Sequence, residues 1–180
     1  FSYYKLSMAL ESGQVNAPVL TADTTVLAED ALGIEGNVLA NDSDPDQNDV
    51  LSTITTTLNG RYGTLTLDHV GHYSYQLNNV SVQQLAAGMQ VIESFSYQAT
   101  DGKLTVNSGL NISITGLNDA PETQEDAVFV TVGEAVQTGN VLTNDRDVDQ
   151  GTILQTVAVT MEGQYGVLSL STDGSYQYVQ

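Results

Sequence analysis

Two loops carry the residues most capable of chemistry. Asp42-Ser43-Asp44-Pro45-Asp46 and Asp145-Arg146-Asp147-Val148-Asp149 each set three carboxylates at alternate positions. Left uncompensated, charges that close repel one another, so either water keeps them apart or a cation joins them. A hard cation taking roughly six to eight oxygens from flexible loops suits them best, and calcium is that cation. A solvated acidic turn is the alternative. The spacing is like the start of an EF-hand loop, but that loop requires Gly at its sixth position and Glu at its twelfth. Gln47 and Gln150 stand sixth here, and Thr53 and Thr156 twelfth, which excludes an EF-hand.

A second set of acids lies around Gly116-Leu117-Asn118-Asp119-Ala120-Pro121: Asp101, Asp119, Glu125 and Asp126, with Asp23 as the earlier counterpart of Asp126. Asn-Asp-Ala-Pro is also simply a good turn. His69 and His72 have zinc-like spacing. Thr172 and Ser175 replace them in the second copy, and there is no Cys to complete a site, so zinc is excluded. Catalysis is excluded on similar grounds. Neither His has a partnering nucleophile pattern, and the paired carboxylates lack the aromatic cleft of a glycosidase in a chain without Trp. The recurrent tyrosines (62, 73, 75 and 97; 165, 176 and 178) could form a sugar-stacking face. Their place on alternating stretches is more simply core and cross-strand packing.

The elements that must position these residues occur twice. Asn37 to Leu77 returns as Asn140 to Gln180 at an offset of 103, with about 19 of 41 positions identical. Gly60, Tyr62, Gly63, Leu65, Leu67, Gly71, Tyr73 and Tyr75 fall on Gly163, Tyr165, Gly166, Leu168, Leu170, Gly174, Tyr176 and Tyr178. A tandem repeat of about 100 residues follows, a size that can bury its own core. Alternation predicts strands over 63–67, 73–77, 91–99, 110–115, 166–170 and 176–178. It also places Val50, Ile54 and Leu58 on one face of a strand, and Ile153, Val157, Val159 and Met161 on another. Val82, Leu85, Ala86 and Met89 have helical spacing, with Gly88 as a stop. Short strands with frequent turns predict an all-β chain of tandem antiparallel β-sandwiches.

Composition narrows the partners. The 180 residues hold 22 acidic and four basic side chains, a formal net charge of −18. Such a surface repels nucleic acid and anionic lipid, and attracts divalent cations. Seven of the 14 aspartates (42, 44, 46, 49, 145, 147 and 149) sit in the two acidic loops, a concentration that a generally acidic surface does not explain. With no Cys, metal is the obvious substitute for disulfides. No apolar run reaches the ~20 residues of a membrane span. The chain opens on Phe1, which predicts a processed product or a window of something longer.

Gly63-Thr64-Leu65-Thr66-Leu67, Gly71, Tyr73-Ser74-Tyr75, Val82 to Gly88, Phe95-Ser96-Tyr97, Thr100-Asp101-Gly102 and Asn118-Asp119-Ala120-Pro121, in that order, resemble the VCBS repeat of bacterial surface proteins. The Asn-Val-Leu-x-Asn-Asp-x-Asp-x-Asp loop resembles that of the cadherin-like and Ig-like modules of large RTX adhesins. The resemblance implies a secreted β-sandwich extender, strung in arrays at a bacterial cell surface or in the extracellular matrix, stiffened by Ca2+ and used in adhesion or biofilm. It also implies that an Asn-Asp linker flanked by acids clamps neighbouring modules. The chain departs from the pattern at Lys103-Leu104-Thr105, which replaces a Gly-Asn-Gly-Gly turn and any ligand it supplies.

The expected metal ligands are Asp42, Asp44, Asp46, Asp145, Asp147, Asp149, Asp23, Asp126, Asp101 and Asp119. Expected partners are neighbouring repeats or identical subunits of a fibre. The alternative is a module whose loops hold a glycan or a cell-surface ligand. The expected division is residues 1–17 as a closing or donor strand, 18–118 as a complete sandwich and 119–180 as an incomplete second one. Phe1-Ser2-Tyr3 matches Phe95-Ser96-Tyr97, and Tyr4, Leu6, Met8 and Leu10 alternate. That segment is therefore expected to pack against a module like 119–180, in a continuous array or donated between subunits.

Overall fold

The computed structural model describes residues 13–131 and 133–180. The strand expected over residues 4–10 lies outside the described residues. Within them the chain is almost entirely β, with twelve strands and one 3-10 turn, Asn79–Ser81. Three four-stranded sheets form. One has the order β1-β8-β7-β3: Asp23–Ala28, Thr105–Thr115, Gln90–Thr100 and Ser52–Thr53. Another is β2-β6-β5-β4: Gly33–Asn37, His72–Leu77, Gly63–Leu67 and Thr56–Asn59. The third is β9-β12-β11-β10: Val136–Asn140, Ser175–Val179, Val167–Leu170 and Val159–Glu162.

The second and third sheets are the same object. Their strands correspond at the offset of 103, and their antiparallel registers match, Leu65 facing Tyr75 as Leu168 faces Tyr178. Local chemistry explains the match. Asn37 Oδ1 accepts the Leu39 N–H at 2.8 Å while its amide donates to the Val70 carbonyl at 3.0 Å. Asn140 does the same with Leu142 and Asp173, both at 2.8 Å. Gly36 lies under the Tyr73 ring and Gly139 under Tyr176; a Cβ at either would sit 2.6 Å from the tyrosine oxygen. The hairpin glycines Gly71 and Gly174 take φ of +83° and +80°, which other residues rarely adopt.

The chain divides into two compact units that do not follow the repeat boundary. The first takes in residues 13–25, 32–77 and 92–113; the second takes in 26–31, 78–91 and 114–180. The first is a closed sandwich. Leu65, Leu67, Tyr73 and Tyr75 from one sheet are buried together with Phe95, Tyr97, Ala99, Leu110 and Ile112 from the other. The Tyr75 and Phe95 rings meet at 5.9 Å in a tilted arrangement. In the second unit, Leu27, Val82 and Ile114 are buried, but the face of β9–β12 stays open. Val130, Val141, Tyr165, Leu168, Tyr176 and Tyr178 are among the residues lining a groove there of about 660 Å³. Residues 126–131 and 155–156, the counterparts of β1 and β3, are not strands. The strands that hold β1 and β3, namely β8 and β7, have no counterpart within 119–180.

Two local expectations need correction. Val50, Ile54 and Leu58 do not share a strand, because the chain crosses between sheets here: β3 pairs with β7, and β4 pairs with β5. Buried Thr53 anchors the crossing, its N–H donating to the His69 carbonyl at 3.0 Å and its hydroxyl to the Asp68 carbonyl. Thr156 repeats both bonds with Thr172 and Ser171. Ile153 and Val157 consequently lie outside β10 and are 83% and 84% exposed. The helical spacing over 82–89 gives a succession of turns after the 3-10 turn, with Leu85 N–H on the Val82 carbonyl and Met89 N–H on that of Ala86.

Leu65→Ala should lower the unfolding free energy by about 2–5 kcal/mol, the usual cost of emptying a packed site. Leu168→Ala, at the repeated position on the open face, should cost less than half as much. Urea denaturation of both variants checks this, and equal losses would contradict the contrast between the two faces.

Candidate metal centre

The aspartates of the acidic loops first serve the backbone. Asp42 Oδ1 accepts the Thr21 N–H at 2.7 Å, and Asp145 Oδ1 that of Gln124 at the same distance. Asp44 Oδ1 accepts the Asp46 N–H at 2.8 Å, and Asp147 Oδ1 that of Asp149 at 2.9 Å. Asp46 Oδ2 accepts the Asn16 N–H at 2.9 Å, and Asp149 Oδ2 that of Asp119 at 3.1 Å. Asn48 and Gly151 hold the same left-handed position, φ +79° and +87°, at the corner of each loop. Each loop is thus bound to the linker preceding its repeat, and its acids cannot spread apart.

Two clusters result. In the first unit, oxygens of Asp44, Asp46 and Asp49 lie within 4.8 Å of one another. In the second unit, oxygens of Glu29, Asp119 and Asp149 do so. The first cluster is partly compensated by donors and a cation, although Asp44 Oδ2 in it and Asp42 Oδ2 in the same loop are buried without hydrogen-bond partners. Asn16 donates its side-chain amide to Asp46 Oδ1 at 2.7 Å, in addition to its N–H. Lys103 Nζ lies 3.0 and 2.6 Å from the two oxygens of Asp49. The Asn16 N–H and amide hold the Asp46 carboxyl below its usual range, and the N–H groups of Leu104 and Lys103 do the same for Asp101.

The second cluster is not compensated. Glu29 is 1% exposed and Asp149 4%. Glu29 Oε1 accepts the Leu117 N–H at 2.6 Å, but Glu29 Oε2, Asp119 Oδ2 and Asp149 Oδ1 are buried without a hydrogen-bond partner. Burial pushes the Glu29 carboxyl up, against the Leu117 N–H, and Asp119, Asp149 and Asp30 add to the push. Burial likewise raises Asp119, with Asp149, Asp30 and Asp147 contributing. Among the described residues, no Lys or Arg pairs with these three acids; Arg146 pairs with Glu122.

Burial of a carboxylate is not in itself the signal. Buried Glu93 accepts from the Tyr75 hydroxyl at 2.5 Å and from the N–H groups of Arg61 and Tyr62, and both its oxygens are engaged. Three clustered acids, each with an orphaned oxygen and none paired with a cation, are different, because such groups otherwise cost free energy with nothing in return. An all-oxygen donor set of this kind fits calcium.

Of the other acids expected as ligands, Asp23 accepts the Tyr97 hydroxyl at 3.0 Å and lies near Asp42, its carboxyl raised chiefly by burial. Asp101 Oδ1 accepts the N–H groups of Lys103 and Leu104 at 2.6 Å each, in the turn whose Lys103 pairs with Asp49 of the first loop. Asp126 lines the open groove. Of the acids around the linker, only Asp119 joins the Glu29–Asp149 cluster. Asp49 and Glu29 were not among the candidate ligands. Asp49 was visible as a fourth acid of its loop, but Glu29 follows a strand, and its repeat counterpart is Val132, so the duplication gives no signal for it.

Comparison with known proteins bears on the same stretches. The model of the bacterial cadherin-like domain matches residues 16–116, more than half of the chain, and that of the bacterial Ig domain matches 118–180. The chain belongs to the bacterial cadherin-like domain family. This cadherin-like chain is 27% identical to a calcium-binding lectin, RapA2, of Rhizobium johnstonii, over 90% of this chain and 80% of that protein. Its fold is similar to protocadherin gamma C5 EC1-3, at a TM-score of 0.52 and 17% identity, covering 91% of this chain and 57% of that one. Protocadherin gamma B2 domains 3-6 give the same score and identity, covering 92% of this chain and 44% of theirs. The chain spans about half the length of these two proteins, and between about a third and just over half of the first protocadherins it matches.

Glu29→Gln keeps an acceptor for the Leu117 N–H while removing one negative charge. In chelator the variant should melt higher than the parent, and in millimolar calcium lower. Each shift should be about 2–4 °C, corresponding to ~1 kcal/mol in a chain of this size. Differential scanning calorimetry in both buffers checks the reversal, and a shift of one sign in both would contradict it.

Proposed function

We propose that this chain is a non-catalytic structural module of a bacterial extracellular fibre or surface adhesin, stiffened by calcium at Glu29, Asp119 and Asp149. The observation that carries it is three carboxylates with oxygens within 4.8 Å of one another, each of which also has a buried oxygen without a hydrogen-bond partner. Calcium there would offset most of that charge and join residue 29 to residues 119 and 149, far apart in the sequence. Asp147 and Asp30 add negative potential around Asp119. Membership of the bacterial cadherin-like family supports the adhesion class, and the name of the Rhizobium relative supports calcium. Among the described residues, no helix is long and apolar enough to cross a membrane.

The domain division belongs to the same proposal: 18–118 as a complete repeat and 119–180 as an incomplete one. Neighbouring repeats or identical subunits are then the natural partners, at the cell surface or in the extracellular matrix, with biofilm as one setting. A second reading is a glycan-binding module, favoured by the lectin relative and by Tyr165, Tyr176 and Tyr178 in the open groove. The first reading is preferred because Tyr73 and Tyr75, the counterparts of Tyr176 and Tyr178, are buried core residues in the first repeat.

Calcium should raise the unfolding temperature, and magnesium should do so much less. Metal bound only by the folded state stabilises it by RT ln(1 + [Ca]/Kd), so millimolar calcium adds on the order of 1 kcal/mol at a site with Kd of ~10⁻⁴ to 10⁻³ M. Asp149→Asn should remove most of the gain. Identical melting curves in calcium and in chelator would sink the calcium reading. Saturable binding of a glycan, lost in Tyr165→Ala, would favour the second reading.

A further inference from the structure

We infer that Lys103 is a built-in cation for the first acidic loop and holds calcium off it, so that the two repeated loops differ in metal dependence. This rests on the calcium reading of the second cluster and assigns the first a different device. The loops share their backbone bonds, so the difference must come from side chains. At the linker position, Asn16 stands where the second repeat has Asp119. Both give an N–H to the last aspartate of the loop, but Asn16 adds a donor amide, whereas Asp119 adds a charge. At the other end of the loop, Asp49 stands where the second repeat has Thr152, and Asp49 receives the Lys103 ammonium.

Lys103 is placed there by the β7–β8 turn. Asp101, 8% exposed, accepts the N–H groups of Lys103 and Leu104 on one oxygen, which fixes the turn beside the loop. Its other oxygen, and Asp44 Oδ2, are buried without hydrogen-bond partners. The ammonium hydrogen-bonds Asp49, and the charges of Asp46 and Asp101 also bear on it. A divalent cation entering here would have to displace an ammonium tethered to the same chain, or sit beside it against the repulsion of like charges. The turn that carries the lysine is the place where the chain departs from the Gly-Asn-Gly-Gly pattern.

Isothermal titration of the 180-residue chain with calcium alone tests this, using the parent, Lys103→Gln, Lys103→Arg and Asp149→Asn, each checked for folding by circular dichroism. The parent should bind one calcium, and Asp149→Asn should abolish it. Lys103→Gln should bind two, the new site at least about tenfold tighter than any residual binding there in the parent. Lys103→Arg keeps the charge and should behave as the parent. Two equal sites in the parent, or a Lys103→Gln titration identical to the parent's, would overturn the inference and leave the second cluster untouched. No binding by the parent with one site in Lys103→Gln would uphold the inference and overturn the calcium reading of the second cluster. No binding by any form would overturn both. If Lys103→Gln fails to fold, Lys103→Met takes its place: a second calcium there would uphold the inference, and none would overturn it.

Discussion

In each acidic loop, one oxygen of each of the three alternating aspartates is committed to a backbone N–H, and what becomes of the remaining oxygens determines the character of the chain. The bonds to Thr21, Asp46 and Asn16 in one repeat, and to Gln124, Asp149 and Asp119 in the other, hold three carboxylates at fixed places. A loop of merely solvated acids would relieve its repulsion by turning the charges outward. Here the backbone forbids that, since moving any one of these aspartates breaks a hydrogen bond to the linker or within the loop itself. The repulsion therefore has to be met where it stands, by an amide, an ammonium or a metal ion.

The buried carboxylates show the same accounting at other sites. Glu93 is surrounded by donors and Asp23 has the Tyr97 hydroxyl, so both are explained within the protein. Tyr75 loses its proton less readily than a free tyrosine, first because it is buried and then because its hydroxyl faces Glu93. Glu29 has one donor for two oxygens and two like-charged neighbours, and its carboxyl rises. A single buried hydrogen bond contributes about 1 kcal/mol, whereas an orphaned charged group costs more than that, so Glu29 weighs more than Glu93 as a pointer to a ligand. Burial alone would have ranked them equally.

Much of the fold was legible because its causes are local. Alternation marked β5, β6, β7, β8, β11 and β12, and the duplication marked which residues mattered to the turns, including Asn37 and Asn140 and the hairpin glycines. The sheet change at Thr53 was not legible. The run from Val50 to Leu58 alternates well enough for one strand, and only the distant carbonyls of Asp68 and His69 decide that Thr53 turns inward. The acidic loops were legible as candidate sites, but the membership of each cluster was not. Glu29 and Lys103 reach their clusters through the ends of strands β1 and β7, across separations no local pattern records. The lysine was visible only as a departure from a family pattern, and its ammonium needs the folded turn to acquire a meaning.

The second repeat separates two contributions that are confounded in the first. In residues 18–118 the sheet β2-β6-β5-β4 is covered by a packed core, so its register could be ascribed to burial. The sheet β9-β12-β11-β10 keeps the same strand order and register although the face bearing Leu168, Tyr176 and Tyr178 is open. The register must then come from what the two sheets share: the asparagine clasp, the glycine beneath the tyrosine ring, the left-handed hairpin glycine and the threonine anchor. The first three act within a single sheet or its adjoining loops, and the fourth ties the preceding segment to that sheet's hairpin turn. The acidic loop follows directly from the strand that the asparagine clasps, so the same local devices that set the register also set where its carboxylates stand. Covering the sheet adds stability, but the placement of the loop's three aspartates is already laid down without it.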